Sequence, residues 1–445
     1  MNQTNKVYPP KFSEGKIGRA WIISVNMGYG HQRTAYPLKD LSANSIINAN
    51  TYDGIPEKDK KIWEYSRGFY EFISNIKRIP IIGNWAFAIF NKFQKIFNYY
   101  PKRDLSRPNA SLKVVFSLIR KGWGENLIKT LAGNPLPIIS TFFAPAFMAE
   151  EFKYPNDIYC VICDADIARP WASLKPFESR IKYFTPNSWT FERLKLYGIR
   201  KENIFLTGYP MPKENIGTEE MEIVKEDLAH RLLNLDPKGE YYKMYHPVIE
   251  DYIGKLPEKS NHPLTIMFSI GGAGAQKEMG VKIAKSLKQK IQTGKIKLIF
   301  SAGIKENVKN YLLENLETIG LKEEINRNIE IIFKDNINNY FTEFNQKLRK
   351  TDILWTKPSE LSFYAGLGIP IIIAPSIGSQ EDFNKKWLLH VGAGFIQENP
   401  NHTDEWLTDL LEGGTLAEMA MQGFVEIEKM GTYNIERAIA IETPH

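Results

Sequence analysis

Residues 264–280 read LTIMFSIGGAGAQKEMG. Apolar residues run up to Ile270, three glycines (Gly271, Gly272 and Gly274) follow, and a polar segment of helical spacing begins near Lys277. A strand that enters a helix through glycines leaves main-chain N–H groups pointing outward at the positive end of the helix, the outline of a diphosphate site. No Gly-Lys-Ser/Thr follows, so this is not a P-loop, and the spacing is not a clean G-x-G-x-x-G turn either. A purely structural strand-to-helix turn remains the plain alternative.

Working outward, the same alternation of short apolar runs and helical patterns fills both halves of the chain. Downstream, strands are predicted at Leu264–Ile270, Lys297–Ser301, Ile329–Phe333, Ile353–Trp355 and Ile369–Ala374, with helices at Lys277–Gln289 and Ile304–Thr318. Upstream they are predicted at Ala20–Asn26, Ile138–Thr141, Ile158–Asp164, Lys182–Thr185 and Asn203–Leu206. Between the two series lies GYPMPKENIG, Gly208–Gly217, which reads as a linker. Strands alternating with helices specify parallel sheets with crossover helices. The expectation is therefore an α/β chain of two Rossmann-like domains facing a cleft. Residues 1–212 would form the first, 213–430 the second, and 431–445 a helix returning to the first. Pro237–Lys259 keeps five large apolar residues and reads as an inserted helical hairpin rather than disorder.

At 445 residues and 43% hydrophobic content, two sizeable cores are affordable. The polar start carries no apolar signal segment, and no run of about 18 uncharged apolar residues occurs, so a cytoplasmic protein without a membrane-spanning helix is expected. The two cysteines, Cys160 and Cys163, lie in IYCVICD. Three apart on a buried strand they face opposite sides of the sheet, which favours core residues over a redox pair or half a zinc site. The net charge of +6 is uneven: Lys60 to Lys121 holds thirteen Lys/Arg against three Asp/Glu. The same stretch carries Trp63, Tyr65, Phe69, Tyr70, Phe72, Trp85, Phe87, Phe90, Phe93, Phe97, Tyr99 and Tyr100. Basic residues interleaved with aromatics fit an anionic membrane surface over residues 62–123, although a core or dimer contact has the same pattern. A nucleic-acid surface is not indicated, because no binding module accompanies the charge.

In open parallel sheets, ligands bind at the carboxyl ends of the strands. The first strand ends in SVNMGYGHQRTA, where Gly28 and Gly30 allow a tight turn and His31 opens a helix. Downstream, Phe333, Lys334 and Asp335 end one strand, while Pro358, Ser359 and Glu360 follow another. After the apolar strand at 369–374 come Ser379, Gln380, Glu381, Asp382 and Asn384, a density of polar side chains suited to sugar hydroxyls or, more plainly, to solvent.

These stretches together resemble the diacylglycerol glycosyltransferases of the monogalactosyldiacylglycerol synthase and processive diglucosyldiacylglycerol synthase group. More distantly they resemble the lipid II-forming N-acetylglucosaminyltransferase. The resemblance runs from about Trp21 to Gly394. SVNMGYGHQRTA is similar to the family's Gly-Gly-His opening, ICDADIARPWASL to its acceptor-domain segment, IFLTGYPMP to its linker and FSIGGAGA to its phosphate loop. The run from DILWTKP through GIPIIIAP to GSQEDFN and VGAG is similar to its donor-sugar signature and is the most specific match.

The resemblance implies the two-domain GT-B fold. It implies that Gly271, Gly272, Ala273, Gly274 and Ala275 hold a UDP diphosphate, that the backbone around Phe333, Lys334 and Asp335 holds the base, and that Gln380, Glu381 and Asn384 touch the donor sugar. Pro358, Ser359 and Glu360 would complete the donor site. His31 would lie between donor and acceptor, as base or diphosphate contact; Gly28, Gly30, Arg169 and Trp171 would line the acceptor side. The sequence departs from the family at Phe363, where a ribose-binding carboxylate is usual, with Glu360 three residues earlier. It departs again at Ala168, where a histidine is usual.

Sugar transfer from a nucleotide needs a base for the acceptor proton and positive dipoles for the leaving diphosphate. His31, Asp164 and Asp166 can supply the first, and the glycine loop the second. No metal and no cofactor are required on this plan. The expected activity is inverting transfer of a hexose from a nucleotide-sugar to a lipid such as diacylglycerol, at the inner membrane face. The alternatives are a polyprenyl-linked or soluble glycan acceptor, or a catalytically silent nucleotide- or lipid-binding protein.

Overall fold

The computed structural model describes residues 19–65, 96–271, 274, 276–376 and 379–442. The first sheet comprises β1 (Trp21–Ser24), β2 (Ile47–Asn48), β3 (Ile138–Ser140), β4 (Ile158–Val161), β5 (Lys182–Thr185) and β6 (Ile204–Leu206). The second comprises β7 (Leu264–Ser269), β8 (Ile296–Gly303), β9 (Ile329–Phe333), β10 (Ile353–Thr356), β11 (Ile371–Ile373) and β12 (Gly394–Ile396).

All pairings within the sheets are parallel. The second sheet runs β12-β11-β10-β7-β8-β9, the Rossmann order, with its switch point between β7 and β10. The first runs β2-β1-β3-β4-β5-β6 and reverses between β1 and β3. The strands are mostly Ile, Leu, Val and aromatic residues because helices cover both faces, so alternation gives way to apolar runs. All ten strands expected from the sequence are present. β2 and β12 are not expected from the sequence: β2 has only two residues, and β12, Gly-Phe-Ile, opens on a glycine and ends on an exposed Ile396.

The helix Ser379–Val391 packs on β12, and Gly394 permits it. A Cβ there would meet Leu388 Cγ at 2.7 Å and Ile373 Cδ1 at 2.9 Å. The expected helix at 277–289 is broken into Lys277–Ser286 and Lys288–Gln292. Pro237–Lys259 contains one long helix, Glu240–Ile253, rather than a hairpin of two.

The segment expected as a linker is buried instead of loose. Tyr209 stacks on Phe363 at 4.9 Å, and its hydroxyl lies 3.1 Å from that of Thr34. The helix Gly431–Glu442 places Ile435 and Ile439 in the apolar layer of Ile22, Leu38, Leu41, Ile139 and Val161, on the first sheet. Thr432 Oγ1 donates to the Met211 carbonyl at 2.6 Å, and Asn434 Nδ2 to that of Thr207 at 2.8 Å.

Candidate functional site

Both switch points face each other. β1 delivers the loop 25–28 and the helix Tyr29–Ala35, with Gly28 at φ 111° making the turn. Inside this helix His31 Nδ1 lies 2.8 Å from the Thr141 carbonyl, which follows β3. A carbonyl can only accept, so Nδ1 carries the proton and Nε2 keeps its lone pair. Phe142 and Trp171 enclose the ring, at centroid distances of 4.8 and 6.3 Å. Burial pushes His31 down to about 4, against a raising effect of the Thr141 bond and the Glu360 charge. The lowered basicity comes from desolvation, not from the helix end.

Asp164 follows β4 and meets the other domain. Asn384, on the first turns of Ser379–Val391, donates from Nδ2 to Asp164 Oδ1 at 3.1 Å, and its Oδ1 accepts the Ala165 N–H at 2.7 Å. Burial raises Asp164 to about 6, with Asn384 and Lys357 opposing and Glu360 and Glu381 reinforcing the shift. A carboxyl poised there is suited to take a proton near neutral pH.

His31 and Asp164 impose opposite pH dependences on stability. His31 binds its proton less readily folded, at about 4 against 6.5, so its contribution falls as pH drops from 6.5 to 4. Asp164 binds its proton more readily folded, at about 6 against 3.8, so its contribution rises as pH drops from 6 to 3.8. The two nearly cancel between pH 6 and 4. Asp164→Asn is therefore expected to lose stability by about 1.4 kcal/mol per pH unit on acidification through that window, and His31→Gln to gain at the same slope. Urea melts at pH 6, 5 and 4 measure both; slopes equal to wild type would show that neither group carries the shift.

Several residues expected in the site are engaged elsewhere. Asp166 is held by Arg193, Nε to Oδ1 at 2.9 Å and Nη2 to Oδ2 at 2.6 Å, and also accepts the Ile167 N–H. Its lone pairs are used structurally, so it is not placed to act as base. Arg169 turns away from the cleft and donates to the carbonyls of Ser106, Ala172 and Ser173. Trp171, by contrast, stays at the site, buried beside Phe143 and the His31 ring. A Cβ on Gly30 would lie 3.1 Å from Glu360 Oε2, so this glycine admits the second domain.

Glu360, expected at the donor ribose, pairs with Arg33 at 3.2 Å, both side chains buried. Arg33 also donates to Tyr340 Oη at 3.2 Å and lies 4.2 Å from the Phe344 ring centroid. Phe363 is packed between Tyr209 and Trp387, and Ala168 is buried as well.

On the second sheet, Gly271 and Gly274 are joined by a 2.7 Å N–H···O=C bond, and Gly274 has φ 69°. Gly272, Ala273 and Ala275 lie outside the described residues. Lys357 crosses over Gly271, where a Cβ would meet its Cε at 3.0 Å, and pairs with Glu381. Phe333 ends β9 under the ammonium of Lys309, and Lys334 pairs with Glu343 at 2.7 Å. Pro358 is buried, Ser359 caps the turn Glu360–Leu367, and Gln380 sits at the start of the last site helix.

Sequence reasoning missed Arg33, Tyr340, Thr141 and Lys357. Lys357 alone had a visible signal, since it follows β10 directly at the switch point.

Of the aromatic set at 62–123, Trp63 is core, packed on Trp123 at 4.7 Å. Tyr65, Phe97 and Tyr100 are exposed, as are Lys102 and Arg103, whose guanidinium lies 5.5 Å from the Phe97 ring centroid. Phe69, Tyr70, Phe72, Trp85, Phe87, Phe90 and Phe93 lie outside the described residues. Among the described residues no helix is long and apolar enough to cross a membrane. Cys160 and Cys163 are both buried and unpaired with each other, and Cys163 lies beyond the end of β4.

Two Rossmann-like sheets that present their carboxyl edges to a shared interface define the GT-B architecture. A family model described as a domain of unknown function (DUF6938) matches residues 256–328 and 320–442. No curated protein matches the sequence. Solved structures similar to this chain include Acinetobacter baumannii MurG, at 15% identity and TM-score 0.43, covering 74% of this chain and 78% of that one. Neisseria meningitidis UDP-GlcNAc 2-epimerase bound to UDP-GlcNAc is similar at 13% identity and TM-score 0.43, covering 81% and 88%. Anabaena HepE in complex with UDP is similar at 13% identity and TM-score 0.38, covering 75% and 84%. Overlaps this loose transfer no chemistry, which has to come from the residues.

Proposed function

We propose that the chain is an inverting glycosyltransferase that moves a hexose from a nucleotide-sugar, UDP-linked, to the hydroxyl of a lipid such as diacylglycerol. The observation that carries this reading is Asp164, a carboxyl raised to about 6 at the edge of one sheet and bonded to the donor-side helix of the other. In the transfer, Asp164 takes the proton of the acceptor hydroxyl while that oxygen bonds to the anomeric carbon. The bond from that carbon to the diphosphate oxygen breaks, and the diphosphate leaves with its electron pair. The Lys357 ammonium beside Gly271 meets the growing negative charge. His31, neutral at physiological pH, presents Nε2 without adding charge.

On this reading the Lys357 ammonium meets the leaving charge, and transfer needs no metal and no cofactor. The exposed Tyr65, Phe97, Tyr100, Lys102 and Arg103 support a peripheral position on an anionic membrane at the cytoplasmic face.

The test is thermal stabilisation by UDP, GDP, TDP and ADP, followed by transfer of labelled sugar to lipid extracts. At a hundredfold excess over Kd the right nucleotide adds about 2.7 kcal/mol, a shift of several degrees. UDP is expected to be selective, and EDTA to leave turnover unchanged. No shift with any nucleotide sinks the proposal in favour of a catalytically silent protein. Transfer to a soluble glycan without vesicle flotation removes the lipid acceptor alone.

A further inference from the structure

The resemblance assigns Asn384 to the donor sugar, yet both ends of its amide are engaged across the domain interface. The side chain is 1% exposed. Its Nδ2 donates to Asp164 Oδ1 at 3.1 Å while its Oδ1 accepts the Ala165 N–H at 2.7 Å. A neutral carboxamide offers a donor and an acceptor on one planar group, which suits both bonds. The same corner is held from the opposite side: Asn187 Nδ2 donates to the Ala165 carbonyl at 3.0 Å while its Oδ1 caps the helix Ser188–Leu196. Ala165 is thus pinned at its N–H by the second domain and at its C=O by the first.

Resting on the transfer reading above, we infer that Asn384 is the positioning residue for Asp164: it aims the carboxylate only while the two domains are closed. Opening the interface removes both bonds at once, since Asn384 moves with the second domain and the Asp164–Ala165 corner with the first. Base placement is thereby tied to closure over the donor, which keeps an unshielded sugar from reacting with water. The remaining oxygen, Asp164 Oδ2, meets only the weak Cys163 Sγ contact at 3.9 Å among the described bonds and is the one left to receive the acceptor proton. The groups facing the carboxyl are Cys163 from its own domain, whose thiol also meets His31 Nδ1 at 3.4 Å, and Glu360, Glu381, Lys357 and Asn384 from the other.

Asn384→Asp is close to isosteric and keeps the acceptor for Ala165 while losing the donor to Asp164; Asn384→Ala removes both bonds and serves if the first variant folds poorly. The full-length variants are compared with wild type by kcat and donor KM against pH, and by 13C NMR titration of labelled aspartate carboxyls, with Asp164 assigned by its absence in Asp164→Asn. Expected are a kcat loss of about a hundredfold with donor KM within about twofold, as for misplacement of a catalytic group. The Asp164 titration should move up by at least about one pH unit, as for loss of a bond to the charged form beside a new carboxylate. A raised donor KM with kcat and the titration unmoved overturns the inference and returns Asn384 to the sugar. The NMR arm needs no turnover, so an unmoved titration overturns the inference even if the transfer reading fails separately on wild type.

Discussion

Asp164→Asn is expected to abolish transfer almost completely, lowering kcat by about a thousandfold, within the range that a positioned general base contributes. The substitution keeps the shape and the Asn384 contact but leaves nothing to accept the acceptor proton. Nucleotide-induced stabilisation should survive, because the change is isosteric and the bonds of Asp164 go to Asn384 and Cys163 rather than to Gly271 or Gly274. In wild type the acid limb of kcat is expected near pH 6, where burial has raised this carboxyl, with a tenfold fall per unit below it. Asp166→Asn is the informative control. Its carboxylate is committed to Arg193, so its loss should appear as lower stability with the limb unmoved. Wild-type kcat in Asp164→Asn, with nucleotide binding intact, would remove Asp164 from the mechanism and the main support of the proposed activity with it.

The second large effect is structural. Arg33→Ala is expected to destabilise the protein by about 3–5 kcal/mol, because Glu360 would be left buried without its partner. That corresponds to a melting temperature lower by on the order of 10 °C for a domain of this size. The arginine stem and guanidinium also fill the space over Phe341 and Phe344, at 4.9 and 4.2 Å from their ring centroids, and that packing is lost as well. Arg33→Met/Glu360→Gln should recover part of the loss, since it removes both charges and keeps the volume. Calorimetry of the single and double variants gives the coupling directly. Single changes that leave the melting temperature within about 2 °C would mean that the pair is not a domain latch.

The correct parts of the sequence reading are those with local causes. Ten of the twelve strands among the described residues announce themselves as apolar runs, because strands covered on both faces favour Ile, Val and Leu. β2 escapes because its two residues pair only at an edge, and β12 because it opens on Gly394, kept small by Leu388 and Ile373. The glycine loop after β7 and the histidine after β1 are legible for the same reason: a turn next to a strand end is a local event.

The sequence by itself determined two parallel α/β sheets and the set of strand ends where chemistry gathers. Only the tertiary structure decided which polar residues at those ends are free to act. Asp164 and Asp166 are two residues apart and indistinguishable in composition, yet one carboxyl meets an amide from 220 residues away while the other is neutralised by Arg193. Glu360 read as a donor ligand until Arg33, 327 residues distant, proved to hold it. Charge pairing and desolvation act through space at a few ångströms, and sequence spacing carries no record of which domain supplies the partner.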